Sequence, residues 1–153
     1  MNFVPFQITA HTSKHPRAQS QQENESYLSQ RYHLHQWQSA PFAPFPQEVI
    51  LQLDERINLQ AIEFQAVPEC EPVPQMQVWI CDQSEWRKAG EAINLCKQRV
   101  SVLGMGDKLK LVFAKPSHNI LAERTVGFQM LKVQGSPLQY FRGVVNHEIE
   151  RHS

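Results

Sequence analysis

The chain carries no net charge: fifteen lysines and arginines balance fifteen aspartates and glutamates over 153 residues. No run of five like charges occurs. Such a chain has no electrostatic footprint for nucleic acid or for an anionic membrane. Cysteine is scarce, at Cys70, Cys81 and Cys96. An odd number with no CxxC spacing argues against a disulfide framework and a structural zinc site. Three reduced, mostly buried thiols are expected, with one disulfide and a spare thiol as the alternative. No stretch approaches the roughly 20 apolar residues of a membrane span. The opening "MNFVPFQITAH" has no basic n-region, so no signal peptide is expected. These features set a cytoplasmic, soluble expectation.

Catalytic signatures are absent as well. "GMGD" at 104–107 lacks the spacing of a phosphate-cradling glycine loop. Ser117, His118 and Asp107 can be drawn as a triad, but no Gly-x-Ser-x-Gly surrounds the serine. No paired-carboxylate motif stands out. A non-enzyme is expected.

What is present is alternation. Apolar residues recur mostly at every second position, which is the strand period. Strands are expected at Phe6–Ala10, Glu48–Leu53, Ile57–Ala66, Met76–Asp82, Lys108–Ala114 and Val126–Gly135, with a broken one over Ile93–Leu103. Within Ile57–Ala66 the inward set changes phase, from Ile57 and Leu59 to Ile62 and Phe64. A one-residue phase change is the signature of a β-bulge. "MQVWICD" is apolar on both faces and reads as a central strand covered on both sides. Asp54–Arg56, Gln83–Glu91 and Gly104–Asp107 read as turns or loops, and Val67–Gln75 as a proline-rich loop. Residues 11–36 read as a long polar connection with a helical turn near Ser20–Tyr27. The fold class expected is all-β, an antiparallel β-sandwich.

Trp37–Leu53, "WQSAPFAPFPQEVILQL", holds a Trp-x-Ser step, a proline- and phenylalanine-rich crossing and then a strand. Followed by "INLQAIEFQA", it resembles the galactose-binding-like, or discoidin-like, jelly-roll family. The resemblance runs from about Phe3 to Gly135. Within the family, "FVPFQITAHTSKH", "KLKLVFAKPSHN" and "VGFQMLKVQG" are similar to the N-terminal discoidin-like domain of the 104 kDa centrosomal protein family of centrioles and ciliary tips. The "FPQE" step is also similar to the intraflagellar transport protein 25 jelly roll. The extracellular branch usually carries an Asp-Gly before the tryptophan and a disulfide joining its ends. Neither is here, which puts sugar and lipid binding in doubt.

The resemblance implies a jelly roll over 1–138, with 139–153 as a tail that starts a linker or forms a short helix. It implies a protein-interaction module of the centrosome, basal body or cilium, with protein partners such as tubulin or centriolar and ciliary proteins. No nucleic acid, membrane or cofactor is expected. The alternatives are a transport subunit that pairs with a small GTPase, and a carbohydrate-binding module.

Several residues are candidates for the interaction. Trp86, Arg87 and Lys88 put an aromatic beside two cations, the composition of a binding hot spot. Trp37 either anchors a partner or plugs the end of the sandwich. Phe42 and Phe45, with Pro44 and Pro46, make an apolar crossing that either caps the barrel end or forms an exposed patch. His33-x-His35 has two of the ligands zinc needs and no third at a recognisable spacing. Glu23, Asn24 and Glu25 offer oxygen donors for Ca²⁺ without the acidic density that such a site usually has. A solvated loop is the preferred reading of both.

Overall fold

The computed structural model describes residues 3–14, 36–70, 72–115 and 125–138. They form eight strands: β1 (Phe3–Val4), β2 (Phe6–His11), β3 (Trp37–Gln38), β4 (Gln47–Ala66), β5 (Val73–Asp82), β6 (Glu85–Leu95), β7 (Lys97–Phe113) and β8 (Gly127–Pro137). One 3₁₀ turn lies at Pro68–Cys70. All pairings are antiparallel. The fold is an antiparallel jelly-roll β-sandwich.

Two long strands organise it. The first part of β4, Gln47–Gln52, pairs with β2 and with Lys108–Phe113 of β7. Its second part, Ile57–Ala66, pairs with β8 and with Lys97–Gly106 of β7. The β4–β7 ladder breaks between Gln52 and Ile57, where Asp54–Arg56 turn the corner. So the first sheet runs β2-β4-β7-β5-β6. The second runs β8-β4-β7, with β1 and β3 sharing the outer edge of β8. The corner is fastened by Arg56, whose Nε and Nη2 donate to the two carboxylate oxygens of Asp82 at 2.8 and 2.7 Å. That bond raises the guanidinium pKa.

The core follows the sequence parity. Val49, Leu51, Leu53, Ile57 and Leu59 are buried, and then Ile62, Phe64 and Ala66. The switch from odd to even positions falls on a register shift between Leu59 and Ala61 against both β7 and β8. The bulge expected from the phase change is there. Buried β5, β7 and β8 positions complete the core with Met76, Val78, Ile80, Leu109, Leu111, Phe113, Leu131 and Val133. Gln134 is also buried, opposite Phe3 and Ala61, and its amide oxygen and nitrogen have no hydrogen-bond partner.

Three expectations read differently in the structure. Gly104–Asp107 is no turn; β7 runs unbroken from Lys97 to Phe113. Its glycines let the two sheets close together. A Cβ on Gly104 would stand 2.6 Å from Ile80 Cγ2, and one on Gly106 would stand 2.1 Å from the Cys81 carbonyl oxygen. Gln83–Glu91 is no loop either. Only Gln83 and Ser84 turn, both at positive φ (52° and 68°), and β6 follows at once. Two left-handed central residues are what a tight hairpin needs. Charges along β6 suit a sheet edge, where they block pairing with other chains. Finally, β5 is central, between β6 and β7, but no described element covers its outer face: Gln77 and Trp79 are half-buried.

Cys70 and Cys81 are buried and Cys96 exposed, and none of the three forms a disulfide. No helix among the described residues is long and apolar enough to cross a membrane.

Candidate functional site

Two regions collect the residues singled out by the sequence. The first is the end of the sandwich where β4 starts and β7 finishes. Trp37 is 1% exposed. Its ring stacks on Phe113 at 5.5 Å and tilts against Phe128 at 5.9 Å, and Phe64 completes the cluster. Its indole N–H donates to the Ser13 carbonyl oxygen at 2.9 Å. Such a residue plugs the core and offers no surface to a partner.

The Trp-x-Ser step has a physical reason. Trp37 and Ser39 lie two apart and both are buried. Ser39 Oγ accepts from the Val126 N–H at 2.9 Å, and the Ser39 N–H donates to the Val126 carbonyl at 2.8 Å. Ser13 Oγ donates to Gln47 Oε1 at 2.6 Å and accepts from the Ala40 N–H at 3.0 Å. Gln47 Nε2 donates to the Pro44 carbonyl, and Gln38 Nε2 to Thr125 Oγ1. Buried polar groups left without partners would be costly. Here they partner one another, and in doing so fix the chain at the sandwich end. The serine of the first motif and the glutamine of "FPQE" are both spent on architecture.

The crossing between them is part cap, part surface. Phe45 packs against the core, while Phe42 is 67% exposed and sits at φ +63°, a costly conformation for a bulky side chain. A shallow depression of about 450 Å³ lies alongside, lined by Ala43, Pro44, Phe45, Pro46, Ala114 and Lys115. Its lining is apolar apart from one lysine. Neither Trp37 nor Trp86 borders it. Convergent polar groups, which orient a small polar ligand, are missing among its described walls.

The second region is the outer face of the first sheet. Trp86 lies opposite Cys81 and Lys88 opposite Trp79. On strands, side chains alternate between faces. So Trp86 and Lys88 join Trp79 on the outer face, while Arg87 points the other way. The expected trio is therefore split. Arg87 pairs with Glu85 at 3.3 Å, and Lys88 with Glu91 at 3.0 Å.

The structure adds residues that the sequence reading left out of the site. Lys108 and Lys110 of β7 project to the same face, since Lys108 lies opposite Cys81 and Lys110 opposite Trp79. The Lys110 ammonium stands 4.7 Å from the centre of the Trp86 ring and 6.0 Å from that of Trp79. A cation over indole faces is attracted by the ring quadrupole. Trp79 Nε1 donates to Gln77 Oε1 at 3.1 Å, which fixes that ring. The result is a half-exposed platform of two tryptophans around one lysine, flanked by Ile50 and Val112. The alternation of "KLKLVF" was the signal for the lysines. Trp79 was hidden by its apolar neighbours.

The His33–His35 pair, the Glu23–Glu25 group, Ser117 and His118, and the tail 139–153 lie outside the described residues. Among the described residues no group of three or more His, Cys, Asp or Glu is placed to hold a metal ion.

No protein-family model matches the chain, and no curated protein matches it. Solved structures do. The C-terminal domain of a chitobiase from Bacteroides fragilis is similar at 18% identity and a TM-score of 0.64, over 86% of this chain and 94% of that one. A CBM32 module from a family 31 glycoside hydrolase of Clostridium perfringens is similar at 12% identity and 0.63, over 86% and 92%. Reduced XRCC1, solved bound to the DNA polymerase beta catalytic domain, is similar at 8% identity and 0.64, over 89% and 100%. At these identities the likeness is one of fold. What the chain shares with all three is the jelly-roll sandwich, a scaffold on which function is set by the surface it presents.

Proposed function

We propose that this chain is a non-catalytic protein-interaction module that serves at the centrosome, basal body or cilium and contributes to cilium or microtubule-end assembly. The observation that carries the interaction is the Trp79–Lys110–Trp86 platform. Large aromatics beside cations, on a rigid sheet, present contact area at little cost in conformational freedom. The cellular setting rests on the sequence resemblance quoted above. Recognition works through a sheet face, rather than through loops at one end.

The test is affinity capture from an extract of ciliated cells, with the tagged chain and a Trp86→Ala/Lys88→Ala variant side by side. Tubulin or centriolar proteins recovered by the first and lost from the second are the expected result. Equal recovery by both would remove the platform from the interaction.

A second reading is favoured by one feature. Because the platform lies on a sheet face, it also suits a transport subunit that pairs face-on with a small GTPase. Transport subunits in the same capture would select that reading. A carbohydrate-binding role draws on the CBM32 neighbours, but among the described walls of the depression at the loop end Lys115 is the one polar side chain. A glycan array on the purified chain decides it.

A further inference from the structure

Taking the open face of the first sheet as the interaction surface, we propose that it binds an extended acidic protein segment. Carboxylates two residues apart in that segment meet Lys108 and Lys110.

The charges around the face are unequal in one respect. Arg56 is held by Asp82, Arg87 by Glu85 and Lys88 by Glu91. Lys108 and Lys110 have no acidic partner among the described residues. Their register neighbours are Gln52 and Cys81 for Lys108, and Ile50 and Trp79 for Lys110. None carries a carboxylate. Two cations in the middle of a sheet face are therefore available without displacing an ion pair.

Lys110 is also pre-positioned. Its ammonium rests against two indoles, so less freedom is lost when a carboxylate arrives. The indoles shield the contact from water, and partial desolvation strengthens a charge-assisted hydrogen bond. An apolar side chain next to the carboxylates then lies on Trp79 or Trp86.

The spacing selects the partner's shape. Lys108 and Lys110 are two apart on one strand, about 6.8 Å at the ordinary rise. An extended peptide repeats its own side chains on one face at the same interval. Glu-x-Glu or Asp-x-Glu in a strand matches the two lysines one to one.

The charge density selects against polyanions. Nucleic acids bind by neutralising many phosphates at once. Here two lysines are available, Glu48 and Glu91 border them on the same face, and the whole chain is neutral. A short acidic segment fits that pattern.

The test uses the 153-residue chain and fluorescein-labelled peptides read by anisotropy at low salt. One peptide is Ser-Glu-Ser-Glu-Leu-Ser, and the other has Gln at both Glu positions. The acidic peptide is expected to bind at least tenfold more tightly. Lys108→Gln/Lys110→Gln should abolish that preference, while Lys97→Gln on the second sheet should keep it. Circular dichroism confirms that the variants are folded.

Equal binding of the two peptides, no binding of either, or full binding to the double lysine variant would overturn the proposal. So would a heparin hexasaccharide that outcompetes the acidic peptide. The capture experiment separates the two levels of failure. If Trp86→Ala/Lys88→Ala loses the partner but the peptides bind alike, the surface stands and the acidic class falls. If capture is unchanged by that variant, the surface falls with it.

Discussion

Two regions of this molecule hold all three of its tryptophans, and they use them in opposite ways. Trp37 lies in an aromatic cluster at the sandwich end, and its N–H is bonded. Trp79 and Trp86 lie half-buried on a sheet face, with a lysine between them. Around Trp37 the nearby serines and glutamines are consumed by hydrogen bonds inside the protein. Around Lys110, charge and aromatic surface stay open to solvent. The lesson is that the most recognisable motif in the chain is structural. The surface suited to a partner carries no motif.

The largest expected effect tests that contrast directly. Trp37→Ala should destabilise by about 3–5 kcal/mol, the usual cost of emptying a large aromatic site. Trp86→Ala should cost about 1 kcal/mol or less, as a partly exposed residue. Urea denaturation of both variants checks this. Similar losses would end the distinction between plug and platform.

Next in size is Gly104→Val, expected to cost about 1–3 kcal/mol through overpacking. The clash is with Ile80 of β5, the strand that also carries Trp79 of the platform. An Ile80→Ala partner substitution should recover part of the loss, measured by the same denaturation. No recovery would mean that the glycine serves something other than sheet approach.

Gln47 and Gln134 sharpen the comparison at finer scale. Both are buried, but Gln47 is bonded through both amide atoms and Gln134 through neither. Gln134→Met should therefore raise stability by about 1 kcal/mol, since an unsatisfied buried polar group is lost. Gln47→Met should lower it. Thermal unfolding of the pair decides, and a loss in both would mean that Gln134 has a partner.

The smallest expected effect is a pH dependence at the edge of the first sheet. His11 has its pKa lowered, first by partial burial and then by Lys14. The unfolded chain thus takes up the proton at higher pH than the folded one. Stability should fall as pH drops through about 6.5, the ordinary histidine value, and level off below the folded pKa. His11→Gln should flatten that slope in thermal scans between pH 8 and 5.

Much of this was legible in the sequence. The parity of Val49 to Ala66 located both a strand and its bulge, because burial on one face forces alternation. The alternation of Lys108 to Phe113 placed the two lysines outward. Other parts were not legible. Gly104 and Gly106 look like a turn because glycine serves turns and close packing alike, and only the opposite sheet shows which. The charged run in β6 looks like a loop because an edge strand is polar for reasons of its own. Trp79 looked buried because nothing local says that its side of the first sheet is left half-open by the described residues. In each case the missing information was a neighbour distant in sequence.

Because β4 and β7 each belong to both sheets, neither sheet can detach while the other stays whole. A force applied at Lys110 loads the same strand that carries Val100 and Val102 in the far layer. The molecule should then yield as a unit, with the core amides of both layers sharing one opening free energy in hydrogen exchange. A sandwich whose layers share two strands has no seam between them along which to part.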